Sequence, residues 1–135
     1  MDWLESRAHI ADLVHRYANH IIAGQYQQCA ALFTAQAIFE VRQAKPGASA
    51  TARMLNRAEG VEAIVAYLAR SGSGSVCPMI HNLTIDISGD EANSSCIMAA
   101  TVWAGGQVLI GQYADTYGRD REWRFTSRTY TIFRA

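Results

Sequence analysis

The sequence predicts an α+β fold, and the order of its elements carries that prediction. Residues 2–70 hold three stretches of helical periodicity, whereas residues 78–134 alternate with the two-residue period of strands. Helices grouped first and strands after belong to the α+β class, not to the alternating pattern of a parallel α/β sheet. Composition supports a real core: 135 residues, 50% apolar and 18% charged, need no metal or disulfide staple. No internal repeat or composition break divides the chain, so a single domain is expected over residues 1–135.

The first helix is read over residues 2–23. Ile10, Val14, Tyr17 and Ile21 recur at spacings of four, three and four, flanked by Ala11, Ala18 and Ile22. Asp2 suits the N-cap and Gly24 the C-terminal stop. A short helix is expected over 25–33, a turn at 34–36, and a strand over 37–41, where Ile38, Phe39 and Val41 favour extended backbone. Residues 43–59 contain Pro46, Gly47 and small residues without a period, and read as a long connection. Gly60 opens a third helix with Val61, Ile64, Val65 and Leu68 on one face, ended by the serine-glycine run at 71–75. Strands follow over 78–88, 91–103, 107–117 and 123–134. In the first of them, strict alternation puts Met79, His81, Leu83, Ile85 and Ile87 on one face.

Charge narrows the function. Lys plus Arg and Asp plus Glu are 12 each, which argues against a nucleic-acid binder or a polybasic membrane-surface protein. No leader-like start and no apolar run of membrane-spanning length is present. Three cysteines, Cys29, Cys77 and Cys96, form no paired framework. A reduced, soluble, cytoplasmic domain is expected. His9, His15 and His20 fall at spacings of six and five on one helix, which does not make a metal pair, and no metal or cofactor is expected.

Several local motifs occur in a telling order. They are Arg16-Tyr17-Ala18, then Ala30-Ala31-Leu32-Phe33-Thr34, then Ala37-Ile38-Phe39-Glu40-Val41. Gly60-Val61-Glu62-Ala63-Ile64, His81, Gly89-Asp90-Glu91-Ala92, Gly111-Gln112-Tyr113-Ala114-Asp115 and Glu122-Trp123-Arg124 complete the series. The set resembles the SnoaL-like branch of the nuclear-transport-factor-2-like (NTF2-like) superfamily, whose members include scytalone dehydratase, bile-acid dehydratases and polyketide cyclases. The resemblance implies a cone, with three N-terminal helices packed on a strongly curved mixed sheet and an apolar pocket at the open end. It also implies a homo-oligomer, a dimer first, built on the outer sheet face.

The resemblance further implies site residues. Tyr17 falls at the pocket tyrosine of the dehydratases and His81 at their sheet histidine, the base; Arg128 falls near an arginine of some relatives. Ile21, Ile22, Phe39, Met79 and Met98 are the expected ligand-binding walls. Ile22 stands where many relatives carry an aspartate, and residues 102–106 lack the second His or Asp of the dehydratases. The chemistry implied is removal of a proton next to a carbonyl, with His81 as base and Tyr17 as hydrogen-bond donor. The expected activity is therefore a dehydratase or isomerase on a small hydrophobic cyclic or aromatic molecule. The alternatives are a non-catalytic binder of such a molecule, and a small structural subunit of a ring-hydroxylating dioxygenase. Lys45, Arg53 or Arg57 on the 43–59 connection are expected to meet an acidic ligand at the mouth.

Overall fold

The computed structural model describes residues 2–71 and 76–134. The chain opens with α1 (Trp3–Ile22), and the Asp2 carboxylate caps it by accepting the Glu5 N–H at 2.8 Å. Ile10, Leu13, Val14, Tyr17, Ala18 and Ile21 form its buried stripe. Gly24, at φ 68°, turns the chain out of the helix while its N–H donates to the Ile21 carbonyl.

The second helix, α2 (Tyr26–Ala30), is shorter than its sequence suggests. Phe33 leaves the helix because it starts β1 (Phe33–Ala44), where it pairs with Phe125. Long-range pairing here overrides local helix preference, and the expected turn at 34–36 lies inside the strand. The expected long connection is also corrected. β1 continues to Ala44, a 3₁₀ turn follows at Ser49–Thr51, and β2 (Arg53–Glu59) pairs antiparallel with β1. β2 is an edge strand that buries only Ala58, so it has no apolar alternation for a sequence reading to find.

Gly60, at φ 84°, precedes α3 (Val61–Arg70), which buries Ile64 and Leu68. The serine-glycine run expected to end it lies, over 72–75, outside the described residues. Four long strands complete the chain: β3 (Val76–Ser88), β4 (Glu91–Val102), β5 (Val108–Asp120) and β6 (Glu122–Phe133).

One six-stranded sheet results, in the order β2-β1-β6-β5-β4-β3. β1 and β6 are parallel and every other pair is antiparallel, so the sheet is mixed. Register breaks at Val41/Arg42, His81/Thr84 and Thr116/Tyr117 bend it, as extra residues on one strand of a pair do. The helices cover the concave face, with α1 over β3 and β6, and α3 over β1 and β2. Among the described residues no helix is long and apolar enough to cross a membrane.

The break in β3 sets which of its residues face inward. Val76, Pro78 and Ile80 point toward the helices; after Asn82, at φ 54°, Leu83, Ile85 and Ile87 take over. Two β3 residues, Asn82 and Leu83, thus occupy the space opposite one residue of β4. His81 and Met79 therefore do not share a face with Leu83, Ile85 and Ile87, contrary to strict alternation.

Gly111 on β5 lies where β6 comes closest. A Cβ there would sit 2.6 Å from both the Thr131 carbonyl oxygen and Tyr130 Cε1. Gly111→Ala is expected to lower stability by about 1–3 kcal/mol, the usual cost of overpacking. Urea unfolding measures it, and an unchanged midpoint would show that the two strands part freely.

Candidate functional site

The concave face and the helices leave a cavity of about 270 Å³. Strand alternation supplies most of its wall: Pro78 from β3, Met98 and Ala100 from β4, Leu109 and Tyr113 from β5, and Tyr130 and Ile132 from β6. α1 contributes Tyr17 and Ile21, β1 contributes Phe39, and α3 contributes Tyr67 and Leu68, with Ser71 at its C-cap. The surface is largely apolar, with tyrosine the main source of polar atoms. Among the described residues, no hydrogen bond from protein satisfies the hydroxyls of Tyr17, Tyr67, Tyr113 or Tyr130, and none of these oxygens is sealed from open space.

Beneath Tyr17 and Tyr113 lies an ion pair with no exposure at all. Arg128 and Asp115 are register partners on β6 and β5, both turned inward. Arg128 Nε donates to Asp115 Oδ1 at 2.9 Å and Nη2 to Oδ2 at 3.3 Å. Nη1 has no hydrogen-bond partner. The guanidinium instead lies against aromatic rings, 3.5 Å from the Tyr113 centroid, 4.3 Å from Tyr17 and 4.8 Å from Phe125. Ser94 and Tyr117, joined through their hydroxyls at 2.7 Å, complete the buried polar group.

Burial dominates the protonation of this group. It pushes the Asp115 carboxyl up to about 6, against the Arg128 charge, the Arg128 hydrogen bonds and those of Ser94 and Tyr117. The two hydrogen bonds from Arg128 favour the ionised carboxylate. Burial also holds the Tyr17 phenol well above its usual range, reinforced by Tyr113 and opposed by Arg128. Tyr113 is raised by burial too, with Arg128 pulling it back. Both phenols are therefore neutral at pH 7, and act as hydrogen-bond donors rather than bases.

Of the residues expected from sequence, Tyr17, Ile21, Phe39 and Met98 line this cavity. His81, Met79, Ile22 and Arg128 do not. His81 and Met79 point from β3 to the outer face, and Met79 is 52% exposed. Ile22 follows Ile21 around the last turn of α1 and is 38% exposed. Arg128 lies under the floor, sealed by the rings it touches. None of Lys45, Arg53 and Arg57 lines the cavity, and Arg57 is engaged by Glu59 and Glu40.

The sequence did not single out Tyr67, Tyr113 and Tyr130 as lining residues, nor Asp115 as the partner of Arg128. Tyr113, Asp115 and Tyr117 at alternate positions were the available signal, because two-residue spacing puts all three on one strand face. Among the described residues no three His, Cys, Asp or Glu side chains converge to hold a metal ion.

A family model of the SnoaL-like domain matches residues 2–129. Among solved structures, an NTF2-like protein with a cystatin-like fold from Novosphingobium aromaticivorans superposes with TM-score 0.78 at 20% identity, over 96% of this chain and 82% of that one. A candidate scytalone dehydratase from the same organism gives 0.74 at 24% identity, over 97% and 86%. The beta subunit of a candidate aromatic-ring-hydroxylating dioxygenase, again from that organism, gives 0.77 at 14% identity, over 95% and 89%. At these identities the likeness is one of fold. No curated protein matches the sequence.

The ion pair makes a stability prediction. Arg128→Met leaves a buried carboxylate unpaired and is expected to cost about 3–5 kcal/mol. Replacing both partners, Asp115→Leu with Arg128→Met, is expected to recover most of that loss. Urea denaturation of the two variants measures the difference, and a double variant as unstable as the single would contradict this account.

Proposed function

We propose that this chain, which belongs to the SnoaL-like domain family, binds a small, mainly apolar ring molecule in the cavity above Tyr17 and Tyr113. One observation carries the reading: unpartnered phenol hydroxyls open onto an otherwise apolar cavity. A ligand oxygen that accepts from Tyr17 or Tyr113 satisfies a donor that the protein leaves free. The volume is close to the lower end for ligand pockets, which start at about 300 Å³, and suits one or two rings.

The same geometry favours binding over dehydration or isomerisation. A phenol can polarise a carbonyl, but removing the neighbouring proton needs a base within reach. Among the described residues the cavity wall contains no His, Asp or Glu. His81 faces the outside of β3, Ile22 cannot accept a proton, and Asp115 is sealed and held by Arg128. The family match over 2–129 supports a single functional domain, and three free cysteines suit a cytoplasmic, reducing setting.

Nuclear magnetic resonance titration with 2-tetralone and 2-naphthol tests the binding reading. Shifts are expected at Tyr17, Met98 and Leu109, with dissociation constants of about 10–1000 µM for ligands of this size. Tyr17→Phe is expected to weaken 2-tetralone about three- to tenfold, as loss of one hydrogen bond does. Ala100→Phe should block the cavity, and His81→Ala should leave binding unchanged. Binding that survives Ala100→Phe would refute the site, and binding lost in His81→Ala would return that residue to it.

The outer sheet face supports self-association. Met79 pairs with Ala99 and Ala99 with Ile110, while His81 pairs with Ile97 one row along. Met79, Val108 and Ile110 are 52%, 53% and 44% exposed, a grouping that a second copy would cover. Sedimentation equilibrium is expected to give a dimer, and Ile110→Lys a monomer. A wild-type monomer at micromolar concentration would rule this assembly out.

A further inference from the structure

Among the described residues the cavity wall carries no charged side chain, so any charge that acts on a ligand comes from its surroundings. Its fifteen lining residues all fall within four stretches, 13–39, 63–85, 92–114 and 123–135, that contain no Asp or Glu. All twelve Asp and Glu residues of the chain therefore fall in the remaining parts of the sequence. Two carboxylates come near along the chain: Glu40, next to Phe39, is paired with Arg42 and Arg57, and Asp115, two residues from Tyr113, is sealed beneath the floor and paired with Arg128.

Two cations sit at the rim instead. Arg70, in the last turn of α3, places its guanidinium 5.4 Å from the ring centroid of Tyr67. Arg134 follows Tyr130 and Ile132 at the alternate spacing of one strand face, and its N–H donates to the Ala44 carbonyl at 2.9 Å. Tyr67, under Arg70, and Tyr130, four residues before Arg134, are both on the cavity wall. Burial raises the Tyr130 phenol to about 12; Tyr67 adds to that rise and the Arg134 charge opposes it. Among the described residues neither Arg70 nor Arg134 has an acidic partner. Low-dielectric walls with charge of one sign at the mouth concentrate ions of the opposite sign.

We propose that the ligand is an organic anion: a carboxylate on one or two apolar rings, with its carboxylate at the rim between Arg70 and Arg134. This rests on the reading of the cavity as a ligand site and names the class of ligand it takes. The rings lie among Phe39, Met98, Leu109 and Ile132. A hydroxyl or oxo group at the far end of the ligand accepts from Tyr17 or Tyr113. The rim holds the carboxylate because the floor does not suit it. Arg128 is sealed and already bound to Asp115, so a carboxylate drawn inward would exchange its water for two phenols alone. At the rim it stays partly hydrated and meets two guanidinium groups able to hold it in pairs of hydrogen bonds.

Calorimetric titration of the full chain with 2-naphthoate and its neutral isostere 2-naphthamide tests this. In low salt the naphthoate is expected to bind about five- to tenfold tighter, the effect of one or two exposed ion pairs. That advantage should shrink in 0.5 M salt, where screening falls to about 4–5 Å. The double variant Arg70→Gln with Arg134→Gln should bring naphthoate to the affinity of naphthamide and leave naphthamide as it was. Both residues are exposed, so the variant is expected to fold. Equal binding of the two compounds by the wild type would overturn the anion assignment while leaving the cavity in place. So would a naphthoate preference untouched by the double variant. If neither compound binds, the cavity reading itself fails and the assignment falls with it.

Discussion

The buried pair of Asp115 and Arg128 is the constraint around which the interior is arranged. A guanidinium with no exposure has to find its stabilisation inside the protein. Here it comes from one carboxylate and three ring faces, Tyr17, Tyr113 and Phe125. Those rings belong to α1, β5 and β6, so one side chain fixes the distance between the first helix and the centre of the sheet. Apolar packing alone would allow α1 to slide, since dispersion contacts are not directional. The cation restricts that freedom because the rings must stay over it.

Two of the rings against the pair are tyrosines, and they also form the cavity floor. A phenol presents an apolar ring to its neighbours and a hydroxyl to whatever lies beyond. Tyr17 and Tyr113 use the ring face against Arg128 and leave the hydroxyl toward open space. The cost of a buried charge is therefore tied to the presence of polar donors in the cavity. Stability and recognition draw on the same residues.

The class of the fold was legible because it depends on order and periodicity, which survive in a single sequence. The inward stripe of α1 was readable from Ile10, Val14, Tyr17 and Ile21, since helical spacing leaves little choice of face. β2 was not, because an edge strand with a single buried residue has no pattern to detect. Site residues divided along similar lines. Tyr17, Ile21, Phe39 and Met98 all reach the cavity. His81 and Met79 sit on β3, whose phase changes at Asn82, and they turn outward. Strict alternation and family position together placed His81 inside; the backbone break decides its face. Asp115 was visible in its motif, but its pairing with Arg128 was not, because a carboxylate on a strand is ordinarily solvated and the partner is thirteen residues away in sequence.

The irregularity at Asn82 works like a frame shift in a strand. Before it, the even-numbered residues face the helices; after it, the odd-numbered ones do. The sequence alone does not say which set is inside, because that depends on where the extra residue is accommodated. If the same irregularity sat two positions earlier, His81 would turn from the outer surface to the interior with no substitution in its strand. A fold of this kind can thus exchange an inert wall for an ionisable one by moving a single backbone defect. The repertoire of its cavity is written in strand phase as much as in side-chain identity.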